Sequence, residues 1–299
     1  MAFADTIRQM SVGEPTSSIM RKTALLVNNR HLFFRKFGAK LNSVRRLPGS
    51  PVQKRVNGVL FDFDLDYDRW IKAMYLGNYE VESVQLMRKL LSQGDTFIDV
   101  GANIGYLTAI GAGFVGKTGQ VHSFEPVPRY FQKLSEMAAL NPDYRIIVNQ
   151  SALGEEEGDA EICIADPESS DIGWDTMVKG HLPNEIQKKK TEVSVYRLDN
   201  YILKKGLESI SLIKIDTEGF EFPVLRGLEG YFRASNHRPA ILCEIIPSAY
   251  PALGYTLAQL SEYMKQYGYC AFSLFDTCVG FDIEELTNIT SVLFRAREV

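Results

Sequence analysis

From residue 95 onward, short apolar runs alternate with stretches of helical periodicity. Residues 96–100 read as a buried strand leading into a helix from Gly105, and residues 121–124 precede a helix that carries Phe131, Leu134 and Ala138. Residues 145–148, 212–215 and 240–245 repeat the strand pattern, with a helix running to about Phe232 after the second of these and another over 257–267 after the third. Upstream, residues 58–63 read as a short strand, and Val81, Val84, Met87, Leu90 and Leu91 recur at helical spacing until Gly94 stops the helix. Strands that are apolar throughout, separated by helices, predict an α/β protein with a largely parallel, doubly wound sheet covered on both faces. A polar tract over residues 166–192, rich in Ser, Gly and Lys and containing Trp174 and His181, interrupts the alternation and is expected to form a lid-like loop.

The first 55 residues follow a different pattern. Between Ser18 and Leu47, Leu25, Leu26, Leu32, Phe33, Phe37 and Leu41 interleave with Arg21, Lys22, Arg30, Arg35, Lys36 and Lys40, as in a basic amphipathic helix or helical pair. Pro48-Gly49-Ser50-Pro51 reads as a linker, so the expected organisation is an N-terminal extension over 1–55 and a catalytic domain over 56–299. The extension is read as a cap over a substrate site or a homodimer contact, with an anionic surface as the alternative. Charge sharpens that division, because residues 1–55 carry eleven Lys or Arg against Asp5 and Glu14 while the whole chain is at −4. The body is therefore acidic, which speaks against a nucleic-acid partner. A 45% hydrophobic content argues for a packed core, and Cys163, Cys243, Cys270 and Cys278 form no Cys-x-x-Cys pair. With neither a secretory-signal pattern nor a run of 18 apolar residues, the expectation is a cytoplasmic protein without a transmembrane segment.

The chemistry concentrates where the first buried strand meets its helix. Asp99-Val-Gly101-Ala-Asn103-Ile-Gly105 places a Gly-x-x-x-Gly turn between them, and a helix start of this kind is expected to offer N–H groups to an anion. Asn103 stands where a dinucleotide fingerprint has its second glycine, which disfavours a pyrophosphate and an NAD-dependent oxidoreductase. A single carboxylate fits better, with Asp99 as acceptor for a nearby ammonium group. Glu125, at the end of the next strand, is placed to accept from both hydroxyls of a ribose, and Ser151 and Ala152 follow the third strand at the height of an adenine. A nucleoside with an amino-acid tail and no phosphates is S-adenosylmethionine.

The chain also resembles the FkbM-type S-adenosylmethionine-dependent methyltransferases. The resemblance rests on Gly77-Asn-Tyr-Glu80, Phe97-Ile-Asp-Val-Gly-Ala-Asn-Ile-Gly105, Val121-His-Ser-Phe-Glu-Pro126, Ala152-Leu-Gly154, Arg197-Leu-Asp199, Leu212-Ile-Lys-Ile-Asp-Thr-Glu-Gly-Phe-Glu221 and Val224-Leu-Arg-Gly227, over about residues 77–245. It implies a class I methyltransferase fold of seven strands with the last antiparallel, O-methylation of sugars, natural products or other small molecules, and a reach of Glu80 to the methionine end of the donor.

Asp216 and Glu218 end the fourth strand and Glu244 the fifth, so three carboxylates are expected to converge beside the transferable methyl group. Three readings stay open. One carboxylate with a raised pKa acts as general base; or Asp216 and Glu244 share a divalent cation, the less favoured alternative to a metal-free site; or Glu218 and Glu221 cap the next helix. His181 is a further candidate proton acceptor, Lys214 a structural partner for a carboxylate, and His122 and His237 structural. The expected acceptor is a small molecule or short peptide bearing a hydroxyl or carboxylate. The non-enzymatic alternative is a binding module tethered by its basic head.

Overall fold

A computed structural model of the chain describes residues 49–66, 69–165, 175–178, 188–277 and 279–296. The basic stretch from Ser18 to Leu47, residues 166–174 and 179–187 of the polar tract, with Trp174 and His181, and Cys278 lie outside the described residues. The body opens with a hairpin, β1 (Val52–Val56) and β2 (Val59–Phe63), whose first strand crosses the boundary expected between residues 55 and 56. Helices α1 (Arg69–Leu76) and α2 (Val81–Leu90) follow. Then come β3 (Thr96–Val100), α3 (Tyr106–Val115), β4 (Gln120–Phe124), α4 (Pro128–Ala139) and β5 (Arg145–Asn149), a succession of βα units. All five residues of β3 are buried, as a strand covered on both faces requires. Pro128 opens α4 where its fixed φ suits a first helical turn.

The chain then leaves the sheet for β6 (Ala152–Leu153), β7 (Gly158–Ala165) and β8 (Lys188–Tyr196), which form a second, three-stranded sheet in the order β6-β8-β7. Residues 188–192, expected to lie in a polar loop, are the first half of β8 and pair with β7 in register from Lys188↔Ala165 to Glu192↔Glu161. It returns through α5 (Leu198–Lys205), β9 (Leu212–Ile215), α6 (Glu221–Arg226), α7 (Glu229–Ala234), β10 (Ala240–Ile245), α8 (Leu257–Gln266), β11 (Tyr269–Ser273) and β12 (Thr290–Ala296). The helix expected to run to about Phe232 is two, because the chain turns at Gly227 and Leu228.

The main sheet has the order β11-β12-β10-β9-β3-β4-β5. Every pairing is parallel except the two made by β12, so the last strand runs antiparallel between β10 and β11. This is the seven-stranded class I methyltransferase sheet. Strand order reverses between β3 and β9, and in such sheets ligands bind at the carboxyl edge beside that reversal. One face of the sheet, with Ile98, Val100, Ile213, Ile215, Ile241 and Cys243, packs under α5 to α8 in a continuous core. Among the described residues no helix is long and apolar enough to cross a membrane.

Two of the motif segments prove to be packing devices. A Cβ on Gly227 would fall 2.2 Å from the Gly154 carbonyl oxygen, so these backbones touch only because one of them is glycine. Arg197 and Asp199 clamp the same corner: Arg197 Nη2 lies 2.6 Å from Asp199 Oδ2, and that oxygen also accepts from the Gly230 N–H at 2.8 Å. Gly227→Ala should lower stability by ~1–3 kcal/mol, the usual cost of forcing extra atoms into close packing. The check is the midpoint of urea unfolding, with Gly49→Ala as a control, since a Cβ there meets nothing within 4 Å.

Candidate active site

The glycine turn sits at the carboxyl end of β3, and its backbone runs through the left-handed region at Gly101 (φ 75°), Asn103 (φ 51°) and Gly105 (φ 90°). Gly101 is needed for close approach, because a Cβ there would lie 1.8 Å from the Asp216 carbonyl oxygen. Gly105 instead faces Leu134 and Met137 of α4. The N–H groups of the turn itself are engaged within the protein. Gly101 and Ala102 both donate to the Phe124 carbonyl at 3.0 Å, and Gly105 donates to the Ala102 carbonyl at 2.9 Å. The Asn103 N–H donates to Glu125 Oε2 at 2.8 Å and the Ile104 N–H to Asn103 Oδ1 at 2.7 Å. Phe124 of β4 and Glu125 just beyond it receive the bonds from residues 101–103, and only the folded chain brings those partners there.

Glu125 is clamped from two sides, since its Oε1 accepts from the Val127 N–H at 2.8 Å. Burial pushes its carboxyl up to about 7, although those two N–H groups pull the other way. Asp99 is sealed from solvent: Oδ2 accepts from Thr108 Oγ1 at 2.6 Å, and Oδ1 lies 3.6 Å from Lys214 Nζ without a hydrogen bond. Ser151 and Ala152 are both buried beyond β5, Ala152 packing with Val127, Tyr130 and Val195. Glu80, with φ 49° at the start of α2, accepts from Ser83 Oγ at 2.5 Å.

Lys214 lies in the register of Asp99 across the β3–β9 pair. Its ammonium is 3.3 Å from Asp216 Oδ2 and donates to the Gly101 carbonyl at 3.2 Å. Desolvation opposes its charge, but Asp216, Asp99 and Glu80 outweigh it and hold its proton more tightly than usual. Lys214 is thus the structural partner of carboxylates that its place in the strand suggests.

Asp216, Glu218 and Glu244 do come together at the ends of β9 and β10. Burial first, then the charges of Asp216, Glu244, Glu221 and Asp175, raise the Glu218 carboxyl well above its ordinary range. Glu218 takes a left-handed φ of 50°. Glu221, wholly buried, caps α6 from its own first turn: Oε1 accepts from the Gly219 N–H at 2.7 Å and the Thr217 N–H at 3.3 Å, while Oε2 has no partner. Burial pushes this carboxyl up to about 7 as well. Among the described residues no group of three His, Cys, Asp or Glu side chains is arranged to hold a metal ion.

Residues 175–178 belong to the polar tract expected to form a lid-like loop, and they reach the residues at the ends of β7 and β9. Thr176 pairs with Cys163 of β7 and its Oγ1 donates to the Glu218 carbonyl at 2.6 Å. The neighbouring Asp175 is held 3.0 Å from Arg129 Nη2, on the first turn of α4. Val178 packs on Ile246 and Ala249. His122, bonded to the Tyr201 hydroxyl at 2.8 Å, and His237, bonded to the Ile210 carbonyl at 2.7 Å, serve the framework. His181 lies outside the described residues.

With sheet, glycine turn and acidic strand ends in place, comparison with known proteins decides the family. The methyltransferase FkbM domain matches residues 99–270, from the base of the glycine turn to β11. The chain belongs to the FkbM methyltransferase family. One curated relative, the 31-O-demethyl-FK506 methyltransferase FkbM of Streptomyces tacrolimicus, is 29% identical over 171 residues, which is 46% of this chain and 61% of the relative. Among solved structures, a methyltransferase FkbM from Methylobacillus flagellatus KT is 18% identical, with a TM-score of 0.42 over 76% of this chain and 53% of that one. The M. jannaschii TYW2 in complex with AdoMet is 14% identical, with a TM-score of 0.41 over 84% and 87%.

This FkbM-family site should be legible in pH-dependent stability. Between about 4.5 and 7 the unfolded chain has released the protons that folded Glu125 and Glu221 still hold, so both make stability fall as pH rises. His122, lowered to about 4 by burial, acts in the opposite sense up to about 6.5. Glu221→Gln, which keeps the Oε1 acceptor, isolates one group. Its stability relative to wild type should improve by roughly 3 kcal/mol between pH 5 and pH 8. Parallel urea curves at both pH values with an unchanged difference would contradict the assignment.

Proposed function

We propose that the protein transfers a methyl group from S-adenosylmethionine to an oxygen, hydroxyl or carboxylate, of a small molecule, sugar, natural product or short peptide. The observation that carries this reading is the glycine turn itself: residues 101–105 have their N–H groups engaged within the protein, beside a carboxylate fixed by two of the surrounding amides. A pyrophosphate would need those donors, so a nicotinamide dinucleotide is a poor match, whereas a nucleoside without phosphates is a good one. Glu125 is placed to accept from ribose hydroxyls with the lone pairs that Asn103 and Val127 leave over. Ser151 and Ala152 would flank the adenine, with Glu80 and Asp216 toward the amino-acid end.

When bound, the donor supplies a methyl group on a positively charged sulfur, already activated for transfer. The chain's own part is placement, exclusion of water and handling of the acceptor's proton. Glu218 is the group assigned to receive that proton at its carboxylate, because burial, and after it the charges of Asp216 and Glu244, raise its affinity for protons. Asp175–Val178 supports the reading by screening the edge between Arg129 and Glu218. The acceptor itself is best found by incubating the protein with labelled donor and an extract of its source, then identifying the labelled product by mass spectrometry.

Two outcomes follow. Calorimetry should show donor binding by wild type and its loss by at least about two orders of magnitude in Glu125→Ala, since a ribose-binding carboxylate makes charge-assisted bonds. Unchanged affinity in that variant would remove the donor assignment. Glu218→Gln should bind the donor normally but transfer label roughly a hundredfold or more slowly, the usual contribution of a positioned base.

A further inference from the structure

Tyr79 is a site residue that neither the glycine turn nor the carboxylates account for. It lies on the turn between α1 and α2, where Gly77 and Glu80 take left-handed φ values of 72° and 49°. The turn is closed by the Gly77 N–H on the Met74 carbonyl at 3.0 Å and the Asn78 N–H on the Ala73 carbonyl at 2.9 Å. Two rings grip the phenol edge to face: Trp70, with centroids 6.0 Å apart, and Tyr106, at 5.7 Å. Tyr106 is the first residue of α3, directly after Gly105, so this contact ties the phenol ring to the end of the glycine turn. Burial, then the charges of Glu80, Asp216, Glu244 and Glu218, raise the phenol well above its ordinary range. It keeps its proton at any physiological pH, an O–H donor among groups that as carboxylates can only accept.

A zwitterionic tail laid across this turn meets an uneven reception. Its ammonium finds carboxylates, but its carboxylate needs donors, and the N–H groups of residues 101–105 already have partners. The Lys214 ammonium is no substitute, being buried and held by Asp99, Asp216 and the Gly101 carbonyl. We propose that Tyr79 is a donor-binding residue whose O–H, anchored between Trp70 and Tyr106 above the glycine turn, hydrogen-bonds the carboxylate of the methionine moiety. The proposal rests on the S-adenosylmethionine assignment made above. It divides the tail between adjacent residues, the ammonium toward Glu80 and the carboxylate toward Tyr79.

The test compares S-adenosylmethionine with its decarboxylated analogue by calorimetry on the full chain, wild type against Tyr79→Phe. The variant keeps the ring and its packing, and a thermal melt verifies that it folds. Tyr79→Phe should bind S-adenosylmethionine about tenfold more weakly than wild type and bind the decarboxylated analogue within about twofold of wild type, the signature of one lost bond to a charged group. Wild type should itself prefer the intact donor, a readout that needs no substitution. Equal weakening toward both ligands, or no weakening, overturns the role of Tyr79 and leaves the donor assignment standing. A wild type that binds neither ligand overturns that assignment and the proposal with it.

Discussion

The arrangement turns on one buried ammonium. Lys214 stands in β9 between Asp99 of β3 and Asp216 at its own strand end, and its proton also reaches the Gly101 carbonyl. A lysine in the middle of a buried parallel strand is costly unless it is paired, and a buried carboxylate without a cation is costlier still. Each solves the other's problem. The pairing also joins the two strands that flank the reversal of strand order, and it fixes the glycine turn from below while Phe124 and Glu125 fix it from the side. The floor of the site is thus an electrostatic joint rather than a hydrophobic one.

Above that joint negative charge is in excess. Glu80, Asp216, Glu218 and Glu244 all act on the Tyr79 phenol, and Glu218 also feels Glu221 and Asp175. Lys214 lies close enough to pair with Asp216 but not to neutralise the group. Burial, together with that crowding, makes Glu218 and Glu221 bind protons more tightly than an ordinary carboxylate does. A site of this character favours a ligand that brings positive charge and offers hydroxyls, and it resists one that brings phosphate.

The main sheet was legible because buried parallel strands are apolar from end to end, and because glycine, proline and the acidic strand ends punctuate them. The second sheet was not. Its strand β8 begins with Lys188, Lys189 and Lys190 and runs on from a polar tract, so only Val193 and Val195 betray the inward face of an alternating strand. The family motifs were visible as spacing, yet spacing did not separate chemistry from packing. Arg197-Leu-Asp199, Gly154 and Gly227 proved to be one structural corner, and Gly105 a contact with α4. The bonds made by the N–H groups of residues 101–103 were likewise invisible, since their partners Phe124 and Glu125 lie about twenty residues further along the chain and arrive through tertiary contact. Tyr79 was seen as a neighbour of Glu80, but nothing in its sequence context indicates that Trp70 and Tyr106 aim it at the strand ends.

The buried carboxyl groups at this edge weigh against the fold. Glu221 buries a carboxyl oxygen with no partner, and Glu125 and Glu221 titrate near neutrality because folding removes them from water. Each such shift represents on the order of 3 kcal/mol at high pH, comparable with the entire margin of many domains when taken together. The continuous core under α5 to α8 and the close backbone contacts at Gly101 and Gly227 must therefore carry more than an ordinary share of the stability. That explains why the motif residues divide as they do: some place carboxylates where water is excluded, and others hold the surrounding backbone rigid enough to tolerate them.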